Sequence, residues 1–412
     1  MWMNKFKIMK SKYFNTIFLV FCIQIFSQTP VSLETAYEKA LVNNLNLKSG
    51  QLKTEYQDRI KKSAVAIDPL SITGEIGQMN SAYADNAVSV HQTLRLPKFY
   101  KTQKQVLIEE WKNTMLTADV QKMYLKRDLA LVYNTLNYLD EKQKLLEKTD
   151  SIYSGYHRRA ELRLRAGESN ILEKTTAENY RSQAEIQLQS LKQDRQLSLL
   201  QFNYLINDAD SYSNEKGSFY DMKISDYGIY GGNPAVLQQF EQQKNIENAK
   251  LNAEKTKLLP SFNFGVTSAT QYGFGADERF YGHGKRFQSG MIGVGLPVFN
   301  TAQKSLIEGQ KINQQIAENN YQIAVKNLKS QYAITFGEYQ KLKSELDYYR
   351  SKGLKSAETI MFTANLLLKE GEIDYLEYTM LVNQSLGIQN RYIDTQKLIN
   401  EKLIEMNALK GE

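Results

Sequence analysis

In residues 88–96, Val88, Val90, Leu94 and Leu96 alternate with Ser89, His91, Thr93 and Arg95. A period of two puts the first set on one face of a strand and the second on the other. Pro97 ends the strand, and a long helical pattern begins within a few residues. Much later, Ile292, Val294 and Leu296 alternate with Met291, Gly293 and Gly295, and Pro297 ends that run. Leu96-Pro97-Lys98-Phe99 and Leu296-Pro297-Val298-Phe299 align without a gap, with Gln103 and Gln303 in register. A strand that feeds directly into a very long helix, present twice, restricts the chain to a duplicated plan.

In the first copy, Ser32 is the expected N-cap of a short helix that Asn43 and Asn44 break, and a second helical run from Leu45 ends near Asp68 and Pro69. Ile72, Gly74 and Ile76 alternate with Ser71, Thr73 and Glu75, so a hairpin over about 70–96 is expected, with 79–86 as its loop. Residues 101–164 lack proline and contain one glycine, Gly155, while Leu125, Leu129, Val132, Leu136 and Leu139 recur at helical spacing. A helix of that span is on the order of 100 Å long. Gly167 interrupts it, and a shorter helix follows from Ser169 to about Ile206.

After a connector at 207–233, the plan repeats over 234–412. A helix from Pro234 to about Pro260 comes first. A strand at about 261–268 follows, with Phe262, Phe264 and Val266 opposite Ser261, Asn263, Gly265 and Thr267. A Gly-rich loop at 273–285 leads to a strand at about 288–296. A long helix over 301–369, a break at Gly371 and a last helix from Asp374 to about Met406 complete the copy. The breaks match: Leu164-Arg165-Ala166-Gly167-Glu168 with Leu172-Glu173, and Leu368-Lys369-Glu370-Gly371-Glu372 with Leu376-Glu377.

Each repeat, 28–206 and 234–412, thus has one helix of about 65 residues and two of about 25 and 35 that together match its length. Lateral packing into a coiled-coil-like wall suits these lengths better than a closed bundle. The four strands each have one apolar and one polar face. A spanning barrel must close, and closure takes at least about 8 strands, so copies of the chain would have to pool theirs. A small soluble sheet resting on the helices is the other reading.

Residues 1–27 read as a signal peptide: Lys5, Lys7, Lys10 and Lys12 precede the apolar run 17–25, with Ser27 and Gln28 at the cleavage region. That run of about 10 residues is shorter than the roughly 20 a spanning helix needs. Cys22, the only cysteine, lies inside it behind Val20 and Phe21, which predicts ordinary cleavage without lipid attachment. The mature chain would then have no disulfide, thiolate nucleophile or cysteine-bound metal. The net charge of +7 falls once this basic leader is gone and does not point to nucleic acid. Mean hydropathy is −0.50, so any entry into a membrane would have to use alternating strands.

The leader, the duplicated helix–hairpin–long helix–helix plan, the prolines at strand ends and the paired glycine breaks resemble the TolC family of outer-membrane efflux channels. The resemblance covers essentially the whole mature chain. Glu75-Ile76-Gly77-Gln78-Met79-Asn80-Ser81-Ala82-Tyr83-Ala84-Asp85-Asn86, Ala160-Glu161-Leu162-Arg163, and Gly167-Glu168-Ser169-Asn170 with Leu172-Glu173-Lys174 are similar to segments of its heavy-metal efflux members. The poor lipid-attachment site departs from members that carry an acyl chain. The resemblance implies a mainly α fold with a small β part, two structural repeats and a homotrimer. Three protomers would give four strands each to a twelve-stranded barrel in outer-membrane lipid, with the helices forming a periplasmic tunnel of a Gram-negative cell. The implied partners are a periplasmic adaptor and an inner-membrane RND-type pump. The implied activity is passive export of heavy-metal cations or small toxic compounds.

Under that resemblance Ser71, Thr73, Glu75, Ser89, His91, Thr93 and Arg95 would face the lumen. Gly167, Glu168, Gly371 and Glu372 would form the adaptor-facing tip. Asp374 and Glu377 are candidates for the tunnel constriction, although acids in a first helical turn also serve the helix dipole. His91, His157 and His283 lie on a strand, a helix and a loop without ligand spacing, and Met361 and Met380 suit packing, so no metal or cofactor site is expected. No Ser/His/Asp set, phosphate-binding loop or carboxylate pair suggests an enzyme. A periplasmic coiled-coil scaffold or adhesion protein without a pore remains the competing class.

Overall fold

The computed structural model describes residues 29–79, 82–215 and 231–411. The leader, Cys22 and the middle of the connector lie outside the described residues. The elements in order are β1 (Thr29–Val31), α1 (Leu33–Asn43), α2 (Leu45–Ile60), β2 (Ser71–Gly77), β3 (Asp85–Arg95), α3 (Pro97–Arg165) and α4 (Ile171–Ile206). There follow β4 (Tyr212–Asn214), α5 (Ala235–Thr256), β5 (Ser261–Thr270), β6 (Gly273–Phe274), β7 (Phe280–Tyr281) and β8 (Arg286–Gly295). The chain ends with α6 (Thr301–Tyr348), a π turn (Tyr349–Gly353), α7 (Leu354–Glu370) and α8 (Tyr375–Lys410).

Contacts divide the chain into two compact units, and each draws on both repeats. One, with described residues 46–79, 82–123, 231–334 and 408–411, contains a four-stranded antiparallel sheet in the order β2–β3–β5–β8. Its helices share a repeated polar latch, in which a glutamine donates to both the carbonyl and the carboxylate of one glutamate. Gln242 Nε2 reaches Glu109 O and Oε2 at 2.9 and 2.6 Å, and Gln303 Nε2 reaches Glu254 O and Oε2 at 3.0 and 2.8 Å. Gln310 reaches Glu247 in the same way, with 2.6 Å to the carboxylate. Glu109 and Glu247 are buried, and a buried acid needs such donors. Burial pushes the Glu109 carboxyl upward, but hydrogen bonds from Gln242, Lys112 and Gln105 outweigh it and hold the group below the ordinary glutamate range.

The other unit, with described residues 29–45, 124–215 and 335–407, contains the parallel pair β1–β4. Ser32 caps α1, its Oγ accepting from Thr35 N at 3.2 Å. Leu125, Leu129, Leu136 and Leu139 of α3 are buried at their helical spacing, whereas Val132 is half-buried and Tyr133 takes the interior place beside it. A second core joins Tyr153, Tyr156, Tyr375, Tyr378 and Val382 to Ala160, Ala177, Ala184 and Ala364. Alanine at these positions leaves room for the flat rings: Tyr156 stacks on Tyr375 at 5.1 Å and Tyr153 on Tyr180 at 5.2 Å.

Several boundaries differ from the sequence expectation. Helix α3 opens at Pro97 itself, a position whose missing N–H costs nothing in a first turn. In the second copy Val298 N bonds Leu296 O at 2.9 Å, and the helix waits until Thr301. The expected helix over 301–369 contains the π turn Tyr349–Gly353, which no sequence signal announced. The expected loop at 273–285 includes the small hairpin β6–β7, and the connector includes β4.

Candidate functional site

The register of the four-stranded sheet fixes which side chains share a face. Cross-sheet rows read Ser71–His91–Gly265–Met291, Thr73–Ser89–Thr267–Ser289 and Glu75–Ala87–Ala269–Phe287. Thr93 and Arg95 continue that face opposite Asn263 and Ser261. The seven strand residues assigned to a polar face therefore lie together. Two of them bond across strands: Ser89 Oγ to Thr267 Oγ1 at 2.9 Å and Thr93 Oγ1 to Asn263 Oδ1 at 2.8 Å. The Arg95 guanidinium lies over the Phe99 ring at 4.5 Å.

The opposite face has Ile72, Ile76, Val88, Phe264, Val266, Ile292 and Val294 exposed, Ile76 to 88% and Ile292 to 78%. A contiguous exposed apolar face of this kind marks contact with another protein or with lipid. Gln92 interrupts it, in register with Phe264. Its amide is satisfied by the carbonyls of Asp68 at 2.7 Å and Thr93 at 3.2 Å. At the hairpin end a polar group shares the face: Arg286 donates to Ser268 Oγ at 2.8 Å and Asn86 Oδ1 at 2.6 Å, and Gln288 donates to Ser268 Oγ at 2.9 Å. The strands β2 and β8 form the two edges of this sheet.

The two glycine breaks have one design. Gly167 and Gly371 adopt φ of +75° and +79°, the left-handed region where a side chain is penalised. Glu168 N bonds Arg163 O at 2.9 Å and Gly167 N bonds Leu164 O at 3.2 Å. In the second turn Glu372 N bonds Leu367 O at 3.0 Å and Gly371 N bonds Leu368 O at 3.4 Å. Both are Schellman closures. The next helix is then capped by the third residue after the glycine. Asn170 Oδ1 accepts from Glu173 N at 3.0 Å, and Asp374 Oδ1 accepts from Glu377 N at 2.8 Å.

Asp374 thus spends its carboxylate on the start of α8, and Glu377 Oε2 accepts from Asp374 N at 3.4 Å, a capping box. Glu168 and Glu372 follow their glycines, and Glu168 lies 4.0 Å from Arg163. Arg163 ties the two turns together: it donates to Glu168 O at 3.1 Å, pairs with Glu173 at 3.7 Å and lies over Tyr375 at 4.9 Å. Sequence reasoning quoted Arg163 within a similar segment but gave it no role, because its contacts reach residues beyond both breaks.

His283 stacks on Tyr272 at 4.2 Å. Tyr272 N in turn donates to the buried Asp85 at 2.8 Å. His157 Nε2 is buried without a hydrogen-bond partner. Among the described residues, no three or more His, Cys, Asp and Glu side chains are grouped to hold a metal ion. No described helix is long and apolar enough to cross a membrane.

No protein-family model matches the sequence, and no curated protein matches it. Solved structures do match in fold. A structure of CusC, described as forming a transmembrane channel, aligns with a TM-score of 0.77 at 16% identity, over 93% of this chain and 94% of that one. The CmeC outer membrane channel of Campylobacter jejuni aligns at 0.74 and 14% identity, over 95% and 90% of the two chains. The open-state MtrE outer membrane channel of Neisseria gonorrhoeae aligns at 0.74 and 17% identity, over 92% and 88%. This chain has the mainly helical, twice-repeated fold of the TolC-like outer-membrane channel protomers.

Proposed function

We propose that this chain is the outer-membrane component of a tripartite efflux system, working as a passive homotrimeric conduit. The observation that carries this is the two-faced sheet. One face is apolar and exposed up to a polar group around Arg286 at the hairpin end, the other is polar and internally bonded, and both edges lack a partner in the sheet. Edge N–H and C=O groups in lipid must be paired. Three copies of a four-stranded sheet supply twelve strands, enough for a closed barrel. The apolar face then meets outer-membrane lipid, and Ser71, Thr73, Glu75, Ser89, His91, Thr93 and Arg95 line the lumen.

In this reading the helices continue into the periplasm of a Gram-negative cell. The turns at Gly167 and Glu168 and at Gly371 and Glu372 face a periplasmic adaptor that links the channel to an inner-membrane RND-type pump. Glu377, with Asp374 engaged at the cap, is the acid proposed to line the constriction, where symmetry would repeat it as a cation-attracting ring. The exported substrates are proposed to be heavy-metal cations or small toxic compounds. The likeness in fold to outer-membrane channels supports the conduit over a scaffold without a pore. The test is fractionation and electrophoresis: a heat-modifiable trimer is expected in the outer membrane, and a monomer confined to the soluble periplasm overturns the reading.

A further inference from the structure

At the helix end of the sheet, where β3 gives way to α3 and α5 gives way to β5, the two helices leave a cleft of about 790 Å³. Lys98 and Lys101 line it from α3 and Lys255 from α5, and none of its lining residues is acidic. The neighbouring acids are already engaged, Glu109 with Lys112 at 2.9 Å and Glu254 with Lys257 at 2.6 Å. All three lysines are exposed, and among the described residues none of them is ion-paired. A bond of 2.9 Å between the hydroxyls of Thr102 and Thr256 ties the helices together at the cleft. Helix α3 begins here and α5 ends here, so their opposite end charges, about half a unit each, largely cancel. The three full charges therefore decide the sign.

The cleft opens on the side of the apolar face. Phe99, which carries the Arg95 guanidinium of the polar face at 4.5 Å, marks the other side of α3. Lys101 follows Phe99 by two residues and so lies about 200° further round the helix. Next to the lysines stand Leu94 and Phe262, paired in register at the start of the apolar face. We propose that this cleft binds an anionic glycerophospholipid, with its phosphate among Lys98, Lys101 and Lys255 and its acyl chains along the apolar face. Ammonium groups hold phosphate as point charges and need no fixed fork geometry, which suits three flexible side chains on two helices. A free phosphate would satisfy the lysines and leave the apolar pair wet, whereas an amphipathic ligand satisfies both. The place of that lipid, in the leaflet facing the periplasm, rests on the channel reading; its binding to the purified protein is testable without it.

The experiment is native mass spectrometry of the purified full chain in detergent, titrated with phosphatidylglycerol. Lys98→Gln, Lys101→Gln and Lys255→Gln combined are expected to weaken binding by about tenfold or more. The same three changed to Arg, which keeps the charge, should bind as the wild type does. Asn252→Glu, which puts an acid on the cleft wall, is expected to weaken binding as the Gln set does. Lys126→Gln, Lys192→Gln and Lys355→Gln combined, equally exposed and in the other unit, should change nothing. Wild-type affinity in the first Gln set overturns the inference, and so does an equal loss in both Gln sets, which would be a general effect of charge. If inorganic phosphate displaces the lipid at the same concentration as dihexanoyl phosphatidylglycerol, the cleft takes free phosphate and the lipid assignment is overturned. Cell fractionation judges the channel reading separately: a chain found only in the soluble periplasm overturns that reading, and the titration alone then decides the cleft.

Discussion

The sheet is held by contacts between residues far apart in the chain, such as Ser89 with Thr267 and Thr93 with Asn263. The glycine turns are closed by backbone bonds that span no more than five residues, as in Glu168 N to Arg163 O. A substitution in a turn therefore acts where it is made, while one on a strand face acts through whatever covers that face. The two regions also use exposure differently. The sheet exposes Ile76 and Ile292 as part of one extended face, whereas the turns expose Leu162, Ile171 and Leu172 singly beside their polar loop residues.

The largest expected effect would break this contrast at the sheet. If the apolar face meets lipid, Val90→Arg costs roughly 2–4 kcal/mol near the midplane, and Thr93→Arg on the other face is tolerated. Trimer yield in outer-membrane fractions reads the difference. Equal assembly of the two variants shows that the faces are assigned wrongly.

The turns come next. Nothing lies within 4 Å of a Cβ built on Gly167 or Gly371. Gly167→Val or Gly371→Val therefore strains only the backbone, by about 1–2 kcal/mol. Efflux is expected to fail while the trimer and its sheet persist. Normal resistance at normal abundance in cells carrying either variant sinks the assignment of these turns to the adaptor.

A smaller loss, about 1 kcal/mol, is expected when a cap is removed by Asn170→Ala or Asp374→Ala. Faster amide exchange confined to the first turn of α4 or α8 is the readout. Protection that changes in one variant only shows that the two turns are not equivalent.

Acid gives the mildest and most diffuse effect. Asp58, Glu109, Glu254 and Glu318, all in the unit that contains the sheet, have carboxyls held below their ordinary range. For Glu254, as for Glu109, burial pushes upward and is outweighed, here by hydrogen bonds from Lys257 and Gln303. Asp58 is lowered first by its bond from Lys61, and Glu318 by its bond from Gln322. A lowered folded-state pKa gives stability that is present above the unfolded value and lost as pH falls through the folded one. Below about pH 4.5, hydrogen exchange is thus expected to rise in helices α5 and α6 around Glu254 and Glu318 before the buried tyrosine core loosens. The reverse order would show that these latches do not hold their helices.

Much of the plan was legible because its signals are local. Alternation along one strand assigns its own two faces, Pro97 marks where strand gives way to helix, and Gly167 and Gly371 mark left-handed positions that few other residues occupy. Ser32 was readable as a cap, since its partner Thr35 is three residues away. Gln92 was passed over because one polar residue does not cancel an alternation. The carbonyls of Asp68 and Thr93 that make its place tolerable are not visible in the pattern. Asp374 and Glu377 read as first-turn acids serving the helix dipole or as a constriction, and the geometry adds capping bonds that the pattern did not announce.

What the sequence by itself determined is the duplicated order of elements, the two-sided character of the strands and the conformation of the turns. Each follows from the sterics and polarity of residues within a few positions of one another. What only the tertiary structure decided is which distant residues meet. Strand register brings His91, Gly265 and Met291 into one row, helix packing lays Gln242 against Glu109, and Arg163 reaches Tyr375 across both turns. These pairings arise from shape and hydrogen-bond geometry between separate elements, and no local pattern along the chain carries that information.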